Sequence, residues 1–238
     1  MNRHQLVAAA DRMVAHLRVV NQREPGTRAM LRRGLGRPPE DIANFHAHAV
    51  VTRYLPDDSS PAEERAFYTV AALVAAQPRG ARDQEAGASV EDDPFDEHVE
   101  DGATPAAAQN APADRKSAGV PDEAGKETRR TLGQSLAWAV ENGHLKGDMV
   151  RDRLHLLARY RTDRLHRELP KLIAHLRVDL VPIDWGYLLR DLARWDTERD
   201  QVAKQWVQHY HRTRDQIQRQ RTNHGASADP HDSGSEPA

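Results

Sequence analysis

The segment from Val181 to Tyr210, VPIDWGYLLRDLARWDTERDQVAKQWVQHY, restricts this chain to a helical architecture more than any other part of it. Pro182 stops a helix arriving from upstream, because its ring clashes with the preceding turn and it has no N–H to donate. Asp184 offers a side-chain oxygen to the free amides of a helix start, so it reads as an N-cap. Trp185, Leu188, Leu189, Leu192 and Trp195 then recur at three- and four-residue spacing and form one apolar stripe. A second cap at Asp196 or Thr197 opens another helix, with Val202, Trp206 and Tyr210 at i, i+4 spacing. Three of the four tryptophans thus fall in a helical hairpin whose opposite faces are charged.

The same period runs through most of the chain. Residues 3–21 place Leu6, Val7, Ala10, Met13, Val14 and Leu17 on one face, closed by Pro25-Gly26. A short basic helix follows over 27–33, with Thr27 as N-cap and Gly34 or Gly36 as terminator. Further helices are expected over 40–54 and from Pro61 to about residue 77. Patterning resumes near residue 128 with the stripe Leu132, Leu136, Val140. Next come Val150, Leu154, Leu157 and Tyr160 after a cap at Asp148, then Leu165, Leu169, Leu172, Ile173 and Leu176, kinked or interrupted at Pro170. Nothing alternates with period two, so strands are not expected. The expectation is an all-α fold of about eight or nine helices in two small bundles, residues 1–78 and 127–221.

Between the bundles, residues 79–126 read as an acidic, low-complexity, disordered insertion, and 222–238 as a disordered tail. Neither holds enough apolar surface to offset the entropy of ordering. The insertion carries 12 acidic and 5 basic side chains and the tail 3 and none. Of 34 basic and 36 acidic residues overall, 29 and 21 remain in the helical part. The folded body is therefore basic although the whole chain is near neutral, which admits a polyanionic partner. The insertion either covers the basic surface or is a solvated spacer. With no cysteine, a disulfide framework and thiolate chemistry are excluded. No apolar run reaches the roughly 20 residues of a membrane span, and a cytoplasmic location is expected.

Catalytic patterns are missing. The best histidine pairs, His46 with His48 and His209 with His211, point about 200° apart on a helix and cannot clamp one ion. Gly34 and Gly36 lack the remaining elements of a phosphate loop, and no nucleophile elbow occurs. No enzyme, metal or cofactor is expected. The tryptophans, on leucine stripes, read as core rather than as platforms for stacked bases. The arginines are more informative. Arg28 and Arg32 share a helix face, with Arg33 beside them and Arg37 beyond. Arg129, Arg130 and Lys146 stand near helix starts. Arg151, Arg153, Arg159, Arg161 and Arg164 are concentrated where only Asp152 and Asp163 oppose them, and Arg167, Lys171 and Arg177 continue the series. Planar guanidinium donors at this density suit phosphate oxygens, contacted without base specificity and sensitive to salt. The alternatives kept open are solvated helix faces and a helical adaptor docking acidic proteins.

Four blocks in fixed order carry a family resemblance: GTRAMLRR (26–33), TLGQSLAW (131–138), RDRLHLLARYR (151–161) and the 181–210 segment. They resemble the CasB family, the small subunits of the type I-E CRISPR complex Cascade. The resemblance covers about residues 3–77 and 128–212; the acidic insertion departs from it. It implies a non-catalytic subunit present in two copies, lying against the crRNA-bearing backbone subunits and near the large subunit. It further implies contact with crRNA-paired target DNA and the displaced strand, helping to hold an opened R-loop. No membrane or small-molecule substrate is implied. Arg32 and Arg33 match the family's paired arginines, and Arg151, Arg153, Arg159 and Arg161 lie in its basic helix region.

Overall fold

A computed structural model describes residues 3–90 and 129–227. Among these the chain is all-α, without strands. Its helices are α1 (Arg3–Arg23), α2 (Pro25–Arg33), α3 (His48–Val51), α4 (Pro61–Ala76), α5 (Arg79–Val90), α6 (Leu132–Glu141), α7 (Gly147–Arg159), α8 (Thr162–Val178), α9 (Trp185–Ala193) and α10 (Trp195–Ser227). A 3-10 turn occupies Ile42–Asn44. Most of the expected acidic insertion and tail, residues 91–128 and 228–238, lies outside the described part, and so does any covering of the basic surface by it.

The helices are bounded by their own sequences. Ser60 and Glu63 form a reciprocal capping box ahead of α4, with Pro61 in its first turn, satisfying amides that have no intrahelical partner. Asp184 caps α9 by accepting the Tyr187 N–H at 2.8 Å, as its position after Pro182 suggests. α4 is buried along its whole second half, from Ala66 to Ala75, and serves as the central post of the N-terminal group. α1 and α2 pack on it. α9 also packs on α1 and α4, although it belongs to the C-terminal half of the sequence, while α6 and α7 pack on α10. One continuous apolar core joins both groups, from Leu6 and Phe67 to Trp206 and Tyr210.

Local readings that differ concern boundaries and weak segments. Residues 40–54 are not one helix: the 3-10 turn is capped by Asp41 and followed by the short α3, because Asn44 is drawn inward to donate to the Pro38 carbonyl at 2.7 Å. α2 starts at Pro25 rather than Thr27, whose hydroxyl bonds Glu24 instead of capping. α7 starts ahead of Asp148, which lies in its first turn and pairs with Arg151. In the 181–210 hairpin α9 ends at Ala193 and α10 opens at Trp195 with a kink at Glu198, rather than from a cap at Asp196 or Thr197. α8 continues through Pro170, held by buried Leu169, Leu172 and Ile173, and α10 runs beyond Arg221.

The main correction is α5, which forms in residues expected to begin the insertion. Its order comes from polar contacts. Arg177, 1% exposed and expected in the basic surface series, lies inside the protein. It donates to Gln77 Oε1 at 2.6 Å, to the Val181 carbonyl at 2.6 Å, to the Ala81 carbonyl at 3.3 Å and to Glu85 at 2.9 Å. Glu85 also accepts from Arg18, Gln77 and Trp185 at 3.1, 3.1 and 3.3 Å. A buried guanidinium needs its donors met, and α5 supplies two of the acceptors.

Candidate nucleic-acid interface

α2 buries only Leu31, so the remainder of its surface is free to carry charge. Arg28 and Arg32, one turn apart, lie close enough to Arg82 of α5 to repel it. Burial lowers the Arg82 pKa, and the charges of Arg28, Arg79 and Arg32 lower it further against the opposing effect of Asp83. Arg33 is exposed and has no ion pair among the described residues. Arg37 instead binds Asp41 at 2.9 Å. That carboxyl is held below its usual range first by the Ala43 N–H and then by Arg37.

The loop after α2 meets α8. Gly36 has φ +71°, and a Cβ there would lie 3.2 Å from Arg167 Cα, so glycine serves both the left-handed backbone and the close approach. This sets the α2 loop beside a second group of cations. The Arg164 guanidinium stacks over the Tyr160 ring at 4.3 Å. Glu168 is the shared acid there, its pKa lowered chiefly by the hydrogen bond from Lys171, with Arg153 and Arg164 acting at longer range. Arg159 stands with Lys204 at an open groove of about 430 Å³ between α7 and α10, floored by Ala158, Ala203 and Val207.

Other candidates are less available. Arg151 pairs with Asp148 at 2.6 Å, an exposed contact worth little. Arg161 borders a groove that also holds Asp196, Glu198 and Asp200, which oppose an anion. Lys146 is exposed ahead of α7, and Arg130, half-buried, gives its backbone N–H to Asp184 at 3.3 Å. Arg129 is a clamp. It lies 3.1 Å from both Asp11 and Asp184 and covers the Tyr187 ring at 4.8 Å. Burial opposes its charge, but the two carboxylates outweigh that and its pKa is raised.

The structure therefore brings together Arg28 and Arg32 with Arg79 and Arg82, and Arg153 with Arg164, while Arg129 serves the fold. Arg79 and Arg82 were not among the sequence candidates. The one sign of them was Pro78, a helix-start residue immediately upstream.

The histidine pairs have separate partners: His48 Nδ1 meets the Tyr68 hydroxyl and His209 Nδ1 the Thr131 hydroxyl. Among the described residues no three His, Asp or Glu side chains group to hold a metal ion, and no helix is long and apolar enough to cross a membrane. Trp195 and Trp206, each 1% exposed, pack with ring centroids 5.0 Å apart. Their N–H groups bond the Tyr160 carbonyl at 3.1 Å and Asp191 at 2.6 Å. They are core residues, as their stripes suggest.

The family model for the CRISPR-associated protein Cse2 matches residues 27–211. Among solved structures, a chain of a CRISPR RNA-guided surveillance complex is 40% identical, over 90% of this chain and 98% of that one, with a TM-score of 0.69. A chain of such a complex in a pre-nicking state is 42% identical at the same coverage, with a TM-score of 0.70. CasB of M. ruber, 21% identical over 87% of this chain and 95% of its own, shares the fold with a TM-score of 0.56. No curated protein matches significantly. The family pattern thus spans both helical groups and the tryptophan hairpin that joins them, and the chain belongs to the Cse2 family, the small subunits of the type I-E CRISPR complex Cascade.

Proposed function

We propose that this protein works as a non-catalytic subunit of a cytoplasmic, RNA-guided surveillance complex and steadies the opened R-loop through nucleic-acid backbone contacts. Its partners in this reading are the backbone and large subunits, a second copy of itself, crRNA-paired target DNA and the displaced strand. The observation that carries it is the excess of cations over carboxylates around α7 and α8: Arg153 and Arg164 share the single acid Glu168 with Lys171, and Arg159 stands with Lys204 at a groove that holds one carboxylate, Asp200. Exchanging a DNA duplex for an RNA–DNA heteroduplex is nearly balanced, so a few phosphate contacts suffice to bias it. Such contacts need no base recognition, in keeping with the buried tryptophans.

Charge reversal of Arg153, Arg159 and Arg164 together tests this. The assembled complex should keep its guide RNA and subunit composition but lose R-loop lifetime by about tenfold or more at moderate salt. A wild-type lifetime overturns the phosphate assignment.

A second reading, a purely structural adaptor, has its own support. Ile42 is 88% and Phe45 70% exposed on the loop that Asp41 and Asn44 hold in shape. Two exposed apolar side chains three residues apart on a braced loop suit a protein neighbour. If the triple variant fails to assemble rather than to hold the R-loop, the basic surface docks protein and the adaptor reading replaces the first.

A further inference from the structure

Residues 91–128 separate the two helical groups in sequence and carry 11 acidic and 3 basic side chains. At about 3.3 Å per extended residue, these 38 positions could bridge roughly 120 Å. The contacts at their two ends need far less. On the outgoing side, Glu85 Oε1 accepts the Trp185 indole N–H at 3.3 Å, and α5 ends five residues later, about 8 Å along its axis. On the return side, Asp184 makes two kinds of contact. Its Oδ1 caps α9 through the Tyr187 N–H at 2.8 Å, while its Oδ2 takes the Arg129 guanidinium at 3.1 Å and the Arg130 N–H at 3.3 Å. Gly186 completes the arrangement, since a side chain there would collide with Arg129 and Asp11. The chain thus leaves and returns beside three consecutive residues, Asp184, Trp185 and Gly186.

We propose that the first turn of α9 clasps both ends of the 91–128 segment, so that this acidic stretch is an excisable excursion from the fold and not the connection that holds the two helical groups together. The connection is made elsewhere: α9 packs on α1 and α4, α8 packs on α4 and α5, and the apolar core runs through both groups. Closing a loop costs entropy that grows with its length, so shortening such an excursion stabilises the fold. A strut cut to the same length would pull the groups apart. The proposal stands apart from the nucleic-acid reading above, because it concerns α9 and not the basic surface.

Replacing residues 91–128 in the full chain by Gly-Ser linkers of about 24, 16 and 8 residues tests it by urea unfolding. The folding constant should rise at each step and reach about tenfold over wild type with the shortest linker, following the three-halves power of loop length. A flat series, or a fall at any length, overturns the proposal. Ends too far apart for the shortest linker, about 26 Å when extended, would give such a fall. A segment that itself supports the fold would give it at every length.

Arg129→Gln tests the clasp directly. It should speed hydrogen exchange of the amides of residues 129–131 by about tenfold and leave those in the middle of α10 unchanged. Wild-type exchange at residues 129–131 overturns the role of α9, even where the linker series rises as expected.

Discussion

His166 on α8 is 1% exposed, and its Nδ1 meets the Thr69 hydroxyl at 2.6 Å while Nε2 has no partner. Burial, with the nearby Arg65 charge, pushes its pKa down to about 3. The unfolded chain protonates this side chain near its ordinary 6.5 and the native chain does not, so between these values the unfolded state holds the extra proton. Stability from this group is complete above about pH 6.5 and declines below it by about 1.4 kcal/mol per pH unit. Urea unfolding at pH 7 and pH 5 should show the wild type losing about 2 kcal/mol more than His166→Gln. An equal loss in both refutes a neutral buried imidazole. Arg129 and Arg177 show what residue type alone conceals. Both read as surface cations, yet Arg129 is held by Asp11, 118 positions away, and Arg177 by Gln77, 100 positions away. Pairing across such separations leaves no trace in neighbouring residues.

α6 and α10 are in closest contact at Gly133, where an added Cβ would lie 2.0 Å from the Trp206 carbonyl oxygen. The stripe Leu132, Leu136, Val140 was legible from its spacing, but the need for a bare backbone at Gly133 arises only from the facing helix. Gly133→Ala should destabilise the protein by about 2 kcal/mol or more, because one helix must shift along its packed length. It should do so despite alanine's higher helix preference of about 1 kcal/mol. A urea midpoint at or above wild type would contradict this packing. Among elements, α4 and α9 announced themselves through proline, caps and apolar period together. α5 did not, because its anchors, Ala81 and Glu85, act through the buried Arg177 and not through a stripe.

Across the whole molecule, the two helical groups are joined by α9 and by the Arg177–Glu85 contact. α9 follows α8 in sequence but covers α1 and α4, since its buried face, from Trp185 to Leu192, completes their core. Glu85 reaches from α5 to α1, α8 and α9 at once. Removing it by Glu85→Ala should cost about 3–5 kcal/mol, as it strands a buried guanidinium. Adding Arg177→Met should cost less than the sum of the two single changes, with a coupling of about 2 kcal/mol in a double-mutant cycle of urea unfolding. Strict additivity would show that the pair does not act as a unit.

The amino-acid order alone settled the helical class, the core role of the tryptophan stripes and the four blocks that carry the family likeness. These rest on spacings of three and four residues, or on short runs, and so are written locally. Which arginines stand free was decided only when distant carboxylates and carbonyls came within a few ångströms of them, and so was the existence of α5. Apolar periodicity is a property of one helix, whereas the pairing of charges belongs to the packed chain.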